Sequence, residues 1–184
     1  SSAGRCSHCA PIVESTQLPM KRYPLMTAEQ LASLPPMQWR VKGIFPARGI
    51  AAVYGASGAG KSFLAFHLLA HIAVGAEWFG YRTKQARCCY LGLEGEAGLS
   101  KRWLAYQNQY GVSAAPFLRF GVTPFHLGET DKLHELATGM LADGLQGGVL
   151  CIDTLAVASA GMDENSGQDM SLILQGAAFL AREI

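Results

Sequence analysis

At 184 residues the chain suits one domain with an appendage. Apolar residues make up 49% and charged ones 16%, which supports a substantial core and argues against disorder. The formal net charge of +1 gives no global basic field for nucleic acid, so a DNA-binding role needs a local patch.

Residues from Ser1 to about Met37 are Pro-rich and irregular, with Pro11, Pro19, Pro24, Pro35 and Pro36, and read as a linker or remnant ahead of a core over 38–184. Cys6-Ser7-His8-Cys9 has the form of half a zinc site, but no second pair follows nearby. Thr27-Ala28-Glu29-Gln30 has capping-box form and predicts a short helix ending before Pro35. Gln38 to Gly49 reads as a lead-in with an extended piece, in which Trp39 is expected to be a buried aromatic rather than a base-stacking platform.

Ile50 to Tyr54 predicts a strand. It leads into Gly55-Ala56-Ser57-Gly58-Ala59-Gly60-Lys61-Ser62, which fits the phosphate-loop pattern G-x-x-x-x-G-K-[ST] without mismatch. Successive backbone N–H groups in such a loop wrap an anion, and the following helix adds its positive end. Lys61 is placed to reach the β- and γ-phosphates of a nucleotide, and the Ser62 hydroxyl to ligate Mg²⁺. The helix predicted over Lys61 to Val74 is apolar nearly all round, so burial on more than one side is expected, with Gly75 as its C-cap. His67 and His71 share a face, but Leu68 stands where a zinc hydrolase needs Glu, so the pair reads as two partly exposed helix-face histidines. This apolar run is interrupted by His67, His71 and Gly75, and none in the chain reaches membrane-spanning length.

Glu77 to Gln85 reads as an exposed loop around Trp78 and Phe79. Arg87 to Leu93 predicts a second strand, on which Cys88 and Cys89 point to opposite faces. The cysteines read as small buried hydrophobes in a reducing compartment, and a cytoplasmic location is expected. Glu94-Gly95-Glu96 closes this strand, where open α/β sheets place their chemistry. A helix over Ala97 to Tyr110, a strand over Phe117 to Val122 and a helix from Thr130-Asp131 to about Leu141 follow. Gly148 to Ile152 is a fourth strand ending at Asp153, a Walker B pattern that gives Asp153 the Mg²⁺. Asp163-Glu164-Asn165 forms a polar loop, and Ser166 to Asp169 caps a last helix from Met170 to Ile184. The alternation of strands and helices predicts an α/β fold, a mostly parallel sheet with helices on both faces.

Neither a glycine at the fourth position after Asp153 nor an Asn-Lys-x-Asp motif is present, so GTPase signals are missing. The stretches WRVKGIFPARG (Trp39 to Gly49), Gly55 to Ser62, Trp78-Phe79-Gly80, YLGLEGEAG (Tyr90 to Gly98), IDTL (Ile152 to Leu155) and DENSGQDM (Asp163 to Met170) resemble the RepA-type AAA family of plasmid and phage replication ATPases. The resemblance runs from about Leu25 to the C-terminus. It implies a RecA-like P-loop fold, ATP and Mg²⁺ as cofactors, a homo-hexameric ring and work on single-stranded DNA. Glu94 is implied as the residue that polarises the attacking water, with Glu96 as its rival, Lys61 and Ser62 as phosphate and Mg²⁺ binders, and Asp153 as the Walker B acid. Family members continue beyond the helix that holds Ile184 with further core strands. The resemblance therefore implies an unfilled position between the phosphate-loop strand and the Walker B strand, and nucleotide binding in preference to turnover. The alternatives are an ATP-dependent regulator or assembly module, a truncated nucleotide-binding domain without motor activity, and a small-molecule kinase.

Overall fold

The computed structural model describes residues 25–93, 96–113, 115–163 and 165–184. Cys6, His8, Cys9, Glu94 and Glu164 lie outside the described residues. The chain divides into two units, residues 1–36 and 37–184. In the first, α1 (Ala28–Ala32) starts on the capping box read from the sequence. Thr27 Oγ1 accepts from the Gln30 N–H at 3.2 Å, and Gln30 Oε1 accepts from the Thr27 N–H at 3.0 Å.

The second unit opens with an antiparallel pair, β1 (Trp39–Val41) and β2 (Phe45–Pro46). Its main sheet has three parallel strands. The middle strand is β3 (Cys88–Gly92), flanked by β4 (Leu118–Gly121) and β5 (Val149–Asp153). A strand with a layer on each side needs apolar residues on both faces. All five residues of β3 are buried. Cys88 and Tyr90 pack on one face against Phe66, Leu69 and Ala70 of α2 (Lys61–Val74) and Leu99 and Tyr106 of α3 (Glu96–Tyr110). Cys89 and Leu91 pack on the other against Leu133, Ala137 and Met140 of α4 (Thr130–Ala142), with Ala158 of α5 (Leu155–Ala158) and Ile173 and Leu180 of α6 (Gly167–Glu183).

The crossover from β3 to β4 runs outward through α3, and that from β4 to β5 returns across β3 through α4. Right-handed crossovers in opposite directions must lie on opposite faces, as these do. The helices after β3 and after β5 thus leave to different sides, which opens a crevice at the carboxyl ends of the two strands.

Several local expectations differ from the structure. Residues 50–54 form no strand, because a strand exists through ladder bonds and no described residue pairs with them. Ile50 and Val53 are exposed and Tyr54 is 93% exposed, and the outer edge of β5 has no paired strand among the described residues either. The buried residues of α2 begin only at Phe66, since Phe63 and Leu64 lie on its exposed first turn beside the loop. Trp78 is buried rather than exposed: it bridges to Tyr81 across a tight turn, and its indole faces the His67 ring. Finally, α4 is capped at Glu129 with no side-chain bond, and Asp131 sits in its first turn instead, where a carboxylate suits the helix dipole.

Candidate nucleotide-binding site

The loop from Gly55 to Ser62 leads into α2. Gly58 (φ +76°) and Gly60 (φ +83°) take left-handed backbone that a side chain would strain. Gly60 is the N-cap and supplies no side-chain cap, so the first N–H groups of α2 are available to an anion. Gly55, Ala56, Ser57, Gly58 and Ala59 are all exposed. Lys61 Nζ donates to the Gly55 carbonyl at 2.8 Å and to the Ala56 carbonyl at 2.9 Å, so the loop curls round its own ammonium.

Register brings the second half of the site to the first. Pairing of β3 with β5 sets Gly92 beside Asp153, at the carboxyl ends of both strands. Ser62 Oγ donates to Asp153 Oδ1 at 3.0 Å, across 91 positions of sequence. These two oxygens fit a small hard cation: an octahedral Mg²⁺ shell with bonds of about 2.0–2.1 Å sets neighbouring oxygens about 3 Å apart. Among the described residues no group of three or more His, Cys, Asp or Glu side chains stands ready for a metal. A phosphate-bound Mg²⁺ needs only one or two protein ligands.

Two residues at this point escaped the sequence reading. In the sequence Tyr90 belongs only to the predicted strand and to the YLGLEGEAG stretch, yet its hydroxyl donates to Asp153 Oδ2. Burial first, and then that bond, push the Tyr90 hydroxyl pKa far up, so it stays a donor. Arg102 on α3 donates to the Tyr90 oxygen at 3.4 Å and lies 3.9 Å from Asp153 Oδ2. A signal for Tyr90 existed: a buried Tyr needs a partner for its hydroxyl, and the site lies at the end of its own strand. None existed for Arg102, whose partners are all distant in sequence.

Glu94 lies outside the described residues, and Glu96 begins α3. The histidine pair is tied up in hydrogen bonds, and His71 is buried rather than partly exposed. His67 Nδ1 accepts from the Trp78 indole N–H at 3.1 Å and its Nε2 meets the Tyr110 hydroxyl at 2.6 Å, while His71 Nδ1 donates to the His67 carbonyl at 2.8 Å. Cys88 and Cys89 are buried and Cys151 is half-buried, all three as free thiols. Burial pushes Cys88 and Cys151 up to about 12 and Cys89 up to about 11. In the polar loop, Asp163 Oδ1 accepts from the Asn165 N–H at 2.9 Å and Asp169 accepts from the Asp163 N–H at 2.8 Å, so these carboxylates close the turn into α6. No helix among the described residues is long and apolar enough to cross a membrane.

A glycine loop opening a helix, with its Lys and Ser at the carboxyl end of a parallel sheet and a strand-end Asp on the Ser, defines a P-loop NTPase core of α/β type. Residues 16–184 match a family model described as AAA domain, and the chain belongs to that family, whose members use ATP with Mg²⁺. Comparison with curated proteins gave no match, nor did comparison with solved structures.

Proposed function

We propose that this chain is the ATP-binding and hydrolysing core of a RepA-type replicative DNA helicase, acting in the cytoplasm as one subunit of a homo-oligomeric ring on single-stranded DNA. The observation that carries the nucleotide part is the Ser62–Asp153 bond beside the Lys61 loop. The motor part rests on the motif set, from Trp39 to Met170, that resembles that family.

In this reading the loop N–H groups from Gly55 to Ser62 hold the phosphates, and Lys61 leaves its two carbonyls for the β- and γ-oxygens. Ser62 and Asp153 hold the Mg²⁺, which when bound offsets charge on the transferred phosphoryl group. Glu94 orients the attacking water. Glu96 is the weaker candidate because it begins α3, where a carboxylate serves the helix dipole.

Two measurements test this. Saturating ATP·Mg²⁺ at about 100 times its Kd should add about 2.7 kcal/mol of stability, read as a thermal shift, and Lys61→Ala should remove most of it. No shift in the parent chain overturns nucleotide binding. Glu94→Gln should abolish hydrolysis and spare ATP binding; loss in Glu96→Gln with hydrolysis retained in Glu94→Gln reverses the assignment.

A second reading, an ATP-gated assembly module that moves nothing, is favoured by two features. The polar loop before α6 carries no Lys or Arg to meet phosphates, and among the described residues neither the outer edge of β5 nor 50–54 has a paired strand to stiffen the site for turnover. Stimulation of ATP turnover by single-stranded DNA separates the two.

A further inference from the structure

Four elements meet at the Asp153 carboxylate, and two of its partners belong to no phosphate-loop motif. Tyr90 on β3 is fully buried, and its hydroxyl donates to Asp153 Oδ2. That hydroxyl also lies 3.4 Å from the Ser62 carbonyl. It has one proton for two acceptors. The nearer, charged carboxylate receives the O–H, and Arg102 Nη1 donates to the Tyr90 oxygen at 3.4 Å, occupying one of its lone pairs. The guanidinium is itself held over the Phe63 ring, 4.8 Å from its centroid. Phe63 follows Ser62, so Ser62, Asp153, Tyr90, Arg102 and Phe63 close a ring of contacts across α2, β5, β3 and α3.

An Asp carboxylate turns easily about its terminal torsion. A bond from Ser62 alone leaves it free to swing. With Oδ2 held by Tyr90, Oδ1 is kept on Ser62, and the two oxygens stay at 3.0 Å. We propose that Tyr90 and Arg102 are positioning residues that set the Mg²⁺ affinity of the nucleotide site by holding the Asp153 carboxylate in this orientation. The inference rests on the nucleotide reading above and adds two residues outside the loop and Walker B motifs.

The test is calorimetric titration of Mg²⁺ into the full chain saturated with ADP, with ADP affinity in EDTA measured alongside. Tyr90→Phe removes only the hydroxyl and keeps the edge contact with Phe66. It should weaken Mg²⁺ binding about tenfold and leave ADP affinity in EDTA unchanged. Arg102→Gln should shift Mg²⁺ affinity in the same direction by less, and Arg102→Lys should restore part of it. Should Tyr90→Phe melt out, the partly exposed Arg102 pair decides. Unchanged Mg²⁺ affinity in a folded Tyr90→Phe, or tighter Mg²⁺ in Arg102→Gln, overturns the inference while leaving the nucleotide reading intact. A parent chain that binds ADP neither with Mg²⁺ nor in EDTA overturns both.

Discussion

His67 and His71 show how much a single residue's chemistry depends on what faces it. Their i, i+4 spacing placed them on one side of a helix; only packing brought Trp78, Tyr106 and Tyr110 to that side. With Nδ1 accepting from an indole N–H, His67 carries its proton on Nε2, and a second proton would set N–H against N–H. Burial first, and then the neighbouring His71, lower the His67 pKa; burial lowers that of His71 against the pull of its bond to the His67 carbonyl. Both groups therefore protonate more readily in the unfolded chain. As pH falls through about 6.5 the unfolded state gains protons first and stability drops, and the loss is complete below the folded pKa values. The melting temperature should thus hold near about pH 8 and fall as the pH drops through about 6.5, with a shallower fall in His67→Gln. Equal slopes in the two proteins would remove His67 from the account. Arg40 is a second such case: 8% exposed, it donates to the Gly147 carbonyl at 2.7 Å and ties β1 to the start of β5, a tie between residues too far apart in sequence to be anticipated.

At the scale of elements, helices were legible where local chemistry marks their ends. Lys61 to Val74 was read to the residue because a glycine loop starts it and Gly75, at φ +75°, stops it. Ser166 caps α6, its side chain accepting from the Asp169 N–H, and the helix begins at Gly167, ahead of the Met170 expected. α5 was missed, since four residues carry no periodicity to read. Two helical glycines make the packing testable. A Cβ at Gly176 on α6 would run into the Leu127 carbonyl, whose residue is itself held by its N–H to the Ala158 carbonyl at 2.8 Å. A Cβ at Gly139 on α4 meets nothing within 4 Å. Gly139→Ala should stabilise by about 0.5–1 kcal/mol through helix propensity alone. Gly176→Ala should destabilise by about 1–3 kcal/mol, because overpacking against backbone outweighs the same propensity gain. Chemical denaturation of both variants checks the signs; stabilisation by Gly176→Ala would mean that α6 can shift away from residue 127.

Across the second unit, the α/β class, the three strands of the main sheet with α2, α3, α4 and α6 in their order, the glycine loop and the acid at the end of β5 were legible in the sequence. They depend on consecutive residues: glycines that permit a turn, apolar runs that must be buried, an acid at a strand's end. The strand expected at 50–54 was not decided that way. Its apolar run is strand-like, but a strand is a relation to a neighbour, and neither 50–54 nor the outer edge of β5 has one among the described residues. The same distinction runs through the site. Lys61, Ser62 and Asp153 were legible one by one from their motifs. Their meeting, and the presence of Tyr90 and Arg102 at the Asp153 carboxylate, required the β3–β5 register and the packing of α3 beside α2. Contacts between residues tens of positions apart are fixed by strand pairing and helix docking, which no short stretch of sequence contains.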